Sequence, residues 1–218
     1  MEDKKAIIFD FDGTLAKTMD DNFLAWEESF REQGIDISKE DFFPLEGAKL
    51  EDIVKSLAEK YNLKNPQVET IIRKKEEVFK KINKFSLYPG VSEFLNSLKN
   101  DISISIVSGA RKERLFSTTP IDFLKKFDLI VTSDYLKNFK PHPDPFLHAL
   151  EKLKLSPNDC IVIENAPLGI QSAKSAGIYC IAIASTMDKL YLNEADEIIG
   201  KFDELKNLEI IQPLLKQD

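Results

Sequence analysis

Short apolar runs recur along this chain, separated by stretches with helical spacing. The runs Ala6–Phe11, Ile102–Val107, Leu129–Thr132, Cys160–Ile163, Tyr179–Ile183 and Glu197–Ile199 are continuous rather than alternating. Continuous runs of that length predict strands covered on both faces, as in a parallel sheet. Between them the spacing predicts helices over Val91–Lys99, Asp144–Leu153 and Leu168–Ala176. A β-α alternation of this kind implies an α/β fold, a doubly wound parallel sheet. Sites on such sheets lie beyond the carboxyl ends of the strands.

One segment breaks the rhythm. From about Asp20 to about Phe85 the chain shows no strand pattern and reads as helices: NFLAWEESFREQG, LEDIVKSLAEKYN and QVETIIRKKEEVFKKI. Gly34 and the Lys64-Asn65-Pro66 triplet punctuate them. A helical bundle over residues 18–85 is therefore expected as an insertion after the first strand. Residues 1–17 and 86–218 would form the α/β core. Hinges are expected near Ala16–Met19 and Phe85–Gly90, where the chain enters and leaves the insertion.

Composition narrows the function. Hydrophobic residues make up 43% of the 218, enough for a sizeable core. The net charge of -7 argues against a general nucleic-acid binder, since phosphate backbones require a basic surface. It leaves room for an anionic small molecule in a locally positive pocket. No apolar run suggests a membrane span or a signal peptide. Cys160 and Cys180 sit in apolar runs and read as reduced core thiols of a cytoplasmic protein.

The candidate chemistry lies at the strand ends. The first strand runs into Asp10 and Asp12, whose side chains project to the same side. Two carboxylates that close call for a divalent cation or for a division of labour. Gly13 permits a tight turn, and Thr14 adds a hydroxyl and an N–H. The second strand ends in Ser108 and Gly109, with Arg111 and Lys112 at a helix start, a setting suited to an anion such as phosphate. Lys140, fixed before Pro141, could neutralise a nucleophilic carboxylate and a transferring phosphoryl group. Glu164 and Asn165 follow the fourth strand and offer hard oxygen ligands suited to Mg²⁺. His142 reads as a loop residue near the site mouth and His148 as a helix residue without a role.

These four segments, FDFDGTL, Ser108, KPHPDPF after Phe139 and IENAPLGI, resemble the four motifs of the haloacid dehalogenase-like hydrolase superfamily, in order and spacing over essentially the whole chain. The helical insertion is similar to the small cap of the branch holding phosphoglycolate phosphatases, β-phosphoglucomutases and phosphonatases. The resemblance implies that Asp10 is the nucleophile, taking the phosphoryl group as an aspartyl phosphate. It implies that Asp12 is the acid/base, Ser108 and Gly109 the phosphate hydroxyl and amide, and Lys140 the charge-stabilising lysine. Gly13 and the loop backbone belong to the phosphate cradle. The implied Mg²⁺ shell is Asp10, the Asp12 carbonyl and Glu164, with Asn165 standing where many relatives carry aspartate. Asn165→Asp is expected to keep activity within a modest factor or to lower the Mg²⁺ requirement.

Substrate choice falls to the cap. Thr18 and Trp26 resemble residues of the sugar-phosphate mutases. Those mutases, however, have a histidine where this chain has Asn22, and a cap arginine without a clear counterpart here. The missing grips favour hydrolysis of a small phosphorylated metabolite over a mutase reaction. Lys49 is the nearest candidate for the imine-forming lysine of a phosphonatase, one position out of step. Lys74 is a candidate phosphate or carboxylate grip. Dehalogenation needs neither Asp12 nor Glu164. A phospho-receiver module, the non-enzyme alternative, would carry no long helical insertion. A monomer or weak homodimer is expected.

Overall fold

The computed structural model describes residues 4–217. Six parallel strands form one sheet in the order β3-β2-β1-β4-β5-β6. They are β1 (Ala6–Phe9), β2 (Ser103–Ser108), β3 (Leu129–Thr132), β4 (Cys160–Glu164), β5 (Tyr179–Ile183) and β6 (Glu197–Ile199). The order reverses at β1, which pairs with β2 on one side and β4 on the other. That reversal opens a crevice at the carboxyl edge of β1.

Alternate residues of each strand serve opposite faces, as the period of two requires. Ile7, Phe9, Ile161, Ile163, Ile181 and Ile183 pack with Phe94, Phe127 and Phe202 on one face. Ala6, Ile8, Cys160, Val162, Cys180 and Ala182 pack with Phe146 and Ile170 on the other. This double burial explains why the strands read as continuous apolar runs. Both cysteines are buried and free.

Of the five α-helices between β1 and β2, the first four form a separate group: α1 (Met19–Arg31), α2 (Lys39–Phe42), α3 (Leu50–Lys60) and α4 (Val68–Ile82). They enclose their own apolar cluster around Trp26, Phe30, Phe42, Leu57 and Ile71. They form a helical cap. The remaining helices cover the sheet: α5 (Val91–Ser97), α6 (Lys112–Thr118), α7 (Ile121–Leu124), α8 (Asp144–Leu153) and α9 (Pro167–Ser175). The chain enters and leaves the cap side by side. Ala16 bridges antiparallel to Leu87, and the Lys17 N–H donates to the Ser86 carbonyl at 2.9 Å.

Several boundaries differ from the sequence reading. The first strand ends at Phe9 rather than Phe11, because the Phe11 carbonyl accepts from the Leu15 and Ala16 N–H groups and closes a turn. The second strand spans Ser103–Ser108 rather than Ile102–Val107, since Ser108 still pairs with Thr132. The helix from Val91 stops at Ser97, where Leu98 turns to bridge with Leu215. Helix α9 begins at Pro167 and ends at Ser175.

Candidate active site

Asp10 follows the last residue of β1, held by its N–H donating to the Ile163 carbonyl at 2.9 Å. Its carboxylate meets Lys140, whose Nζ donates to Asp10 Oδ1 at 2.6 Å, to Glu164 Oε1 at 2.7 Å and to the Val107 carbonyl at 3.0 Å. One ammonium thus ties together three strand ends. Burial works against the Lys140 charge, but Asp10 and Glu164 outweigh it and raise its pKa. Burial pushes the Asp10 carboxyl well above the usual range; Lys140 opposes this and Glu164 adds to it. Asp10 Oδ2 is buried and has no hydrogen-bond partner.

Asp12 lies in the turn after β1. Gly13 holds φ +83°, and a side chain there would place its Cβ 2.5 Å from Glu46 Oε1. Asp12 Oδ1 accepts from Thr18 at 2.6 Å, from Arg114 at 2.9 Å and from Asn22 at 3.4 Å. Arg114 also grips Asp12 Oδ2, making the pair bidentate. Burial works to raise the Asp12 pKa, but Arg114 and Thr18 prevail and hold it below the usual carboxylate range.

Glu164 Oε2 accepts from the N–H groups of Asn165 and Ala166, at 2.8 and 3.1 Å. Asn165 is locked on three sides. Its Oδ1 accepts from Thr14 at 2.7 Å, and its Nδ2 donates to Glu46 and Thr186, each at 2.9 Å. Ala166, not Asn165, stands at the start of α9. Ser108 is fully buried and accepts from the Ala110 N–H at 3.1 Å. Gly109 lies under the cap: a Cβ there would fall 2.7 Å from the Gly47 carbonyl oxygen.

The four strand-end segments therefore meet in one place, while four of the basic residues anticipated from sequence lie elsewhere. Lys74 pairs with Glu32 on the outside of the cap, because α4 turns Ile71, Ile72, Lys75 and Phe79 inward. Arg111 reaches Glu51 at 2.5 Å and ties the core to α3. Lys112 extends over the rings of Phe116 and Tyr135. Lys49 donates to the Leu136 carbonyl and is not among the residues lining the cavity next to Asp10 and Asp12.

Three residues missed in the sequence complete the site. Lys75 stands in the inward stripe of α4, and a lysine at an apolar helical position was a readable signal. Arg114 lies on α6, three residues past Arg111, and nothing local marks it. Glu46 descends from the cap beside Asn165, and its Oε1 is buried without a partner. Burial, then the proximity of Asp10, pushes its carboxyl well above the usual range; its bond to Asn165 opposes this.

The unpartnered oxygens of Asp10 and Glu46 give this pocket acceptor capacity that its cations do not fill. Hard oxygens in a low-dielectric site suit a divalent cation, so the residues fit Mg²⁺. Among the described residues, no group of three or more histidine, cysteine, aspartate or glutamate side chains is arranged around a single ion position. Asp10 Oδ2 and Glu46 Oε1 are the buried carboxylate oxygens without a partner; Glu164, expected as a ligand, instead accepts from Lys140 and two main-chain N–H groups, and Asn165 Oδ1 accepts from Thr14.

A carboxylate neutralised by lysine at a sheet's switch point, with a second carboxylate two residues on and a helical lid above, defines a hydrolase of the doubly wound α/β class with a cap. The chain belongs to the haloacid dehalogenase-like hydrolase family, whose model matches residues 7–183. It is 31% identical over 210 residues to β-phosphoglucomutase of Bacillus subtilis, covering 92% of this chain and 91% of that one. It is 30% identical to a phosphorylated carbohydrates phosphatase of Thermotoga maritima, covering 94% and 97%. A solved β-phosphoglucomutase of Clostridium difficile superposes with a TM-score of 0.82 at 27% identity, covering 96% of both chains. The chain spans 20% of a longer relative, Protein SUPPRESSOR OF QUENCHING 1, chloroplastic, of Arabidopsis thaliana. Phosphatases and mutases both stand among these relatives. No helix among the described residues is long and apolar enough to cross a membrane.

Proposed function

We propose that the protein is a Mg²⁺-dependent phosphatase of small phosphomonoesters that works through an aspartyl phosphate on Asp10. The observation that carries this reading is the triple contact of Lys140 with Asp10, Glu164 and the end of β2. It fixes one carboxylate oxygen of Asp10 and leaves the other without a partner. In the first step Asp10 attacks phosphorus and the ester P–O bond breaks, while Asp12, released by Arg114 and protonated as the substrate is enclosed, passes that proton to the departing oxygen. In the second, Asp12 takes a proton from water as the water attacks the acyl phosphate, returning Asp10 and releasing phosphate. Ser108 and the Gly109 N–H hold the phosphoryl oxygens, with the Gly13–Thr14 backbone on the opposite side.

Asp10 Oδ2, the Asp12 carbonyl and Asn165 would hold the cation, with Glu164 fixing Lys140 and the loop behind them. When bound, Mg²⁺ supplies charge neutralisation between two anions that would otherwise repel. Thr18 orients Asp12. A small phosphorylated metabolite in a cytoplasmic setting, met by a monomer or weak homodimer, fits the enclosed site and the reduced thiols.

The test is phosphate release from a panel of small phosphomonoesters, with Mg²⁺ and with EDTA, on wild type and Asp10→Asn. Mg²⁺-dependent release that disappears in the variant is expected. Appreciable hydrolysis by Asp10→Asn would overturn the nucleophile assignment. A second reading, a sugar-phosphate mutase, is favoured by one observation: Arg114 supplies a buried guanidinium inside the cavity, where the sequence showed no second phosphate grip. Conversion of a hexose phosphate in the presence of its bisphosphate, without net phosphate release, would establish it.

A further inference from the structure

Two buried cations face the enclosed space between cap and core, and the two phosphatase steps above assign neither a contact with the substrate. Lys75, on α4, is 1% exposed; Arg114, on α6, is 3% exposed. They lie over the same aromatic ring. Lys75 Nζ is 4.9 Å from the Phe79 centroid, and the Arg114 guanidinium carbon is 4.9 Å from it. Both line a cavity with Asp12, Asn22 and Trp26.

Their partners do not satisfy them. Lys75 donates to Glu76 at 2.9 Å, and the Nε of Arg114 is buried with no acceptor. Like charges confined in a low-dielectric space repel. Burial, then the charge of Arg114, presses the Lys75 pKa down, although Glu76 opposes it. An anion held by both would give Nε an acceptor and relieve that repulsion.

The arrangement at Asp12 points the same way. A general acid must bring a carboxyl oxygen to the departing oxygen. Here Arg114 takes both oxygens of Asp12, and Oδ1 also accepts from Thr18 and Asn22. Asp12 is well oriented but occupied. Its release requires another acceptor for Arg114.

We propose that Arg114 and Lys75 form a recognition site for a second anionic group on the substrate, and that Arg114 frees Asp12 by exchanging onto that group. The proposal deepens the phosphatase reading and rests on it. The substrate class is a short phosphomonoester bearing a carboxylate or a second phosphate. It is short because Arg114 touches Asp12 directly, so the second anion lies next to the departing oxygen. The cavity of about 40 Å³ has room for roughly one water, so the cap must lift to admit the substrate.

The test compares glycerol 3-phosphate, 3-phosphoglycerate and glycerol 1,3-bisphosphate on wild type, Arg114→Met, Arg114→Lys and Lys75→Met. Wild type is expected to favour the two anion-bearing esters by about tenfold or more in kcat/KM. Their ranking separates carboxylate from phosphate recognition. Arg114→Met should cut that preference to near unity, chiefly through KM, with partial recovery in Arg114→Lys. Lys75→Met should weaken it in the same direction and carries the test if Arg114→Met fails to fold. No preference in wild type, or an equal loss on all three esters, overturns the proposal. If wild type releases phosphate from none of them, the phosphatase reading fails instead. Calorimetric binding of 3-phosphoglycerate against glycerol 3-phosphate then decides the anion site on its own: tighter binding lost in Arg114→Met supports it, and equal binding removes it.

Discussion

Each catalytic candidate owes its position to a handful of short polar contacts, and Asn165 shows how closely they are balanced. Its Nδ2 donates to Glu46, a buried carboxylate from the cap, and its Oδ1 accepts from Thr14. Asn165→Asp removes the donor and sets two buried carboxylates against each other, at a cost of about 1–3 kcal/mol. In the absence of divalent cation, the melting temperature should fall by several degrees, at roughly 2–4 °C per kcal/mol for a chain of this size. Added Mg²⁺ should raise it more in the variant than in wild type. An unchanged, Mg²⁺-insensitive melting curve would contradict this account of Glu46. Asp10, Asp12, Ser108, Lys140 and Glu164 were legible in the sequence because strand-end chemistry is local. Glu46 and Arg114 were not, because what makes them matter is a partner far away in the chain: 119 residues separate Glu46 from Asn165, and 102 separate Arg114 from Asp12.

At the scale of elements, the central strands set the chemistry of the cysteines. Cys160 on β4 and Cys180 on β5 point to one face of the sheet, into the cluster around Phe146 and Ile170. Burial pushes the Cys160 thiol up to about 12, and the Cys180 thiol well above its ordinary value. The folded state therefore holds these protons more tightly than the unfolded chain, whose thiols titrate near about 8.5. Their contribution to stability is intact below that value and declines as pH rises above it. A thiol reagent at pH 8 should find neither cysteine in the native protein and both in denaturant. Reaction of either in the native state would show that the sheet face opens. The periodicity of α4 taught a related lesson. The charged run after Ile72 is not one uniform face: α4 buries Lys75 while Lys74 pairs with Glu32 outside. One residue along a helix turns a side chain by about 100°, and sequence fixes that phase only as well as it fixes the helix's packing face.

For the whole molecule the decisive contact is cap on core. The Gly47 carbonyl oxygen lies so close to Gly109 that no side chain fits between them. Gly109→Val should wedge the cap open, lowering turnover sharply and leaving the sheet's circular dichroism intact. Accelerated proteolysis near residues 16–18 and 85–88 would mark the segments about which it moves. Normal turnover in this variant would show that closure is unnecessary. The doubly wound sheet, the helical insertion and the four strand-end motifs are legible before any fold is known. Each is written in local periodicity or in residues set next to one another by the strand that carries them. Which distant side chains meet emerges only on folding: Glu46 of the cap against Asn165, Lys75 of the cap and Arg114 of the core about one aromatic ring, and Arg114 on both oxygens of Asp12. Those contacts join segments distant in the chain, and their strength comes from the shared removal of charged groups from water, which no single segment specifies.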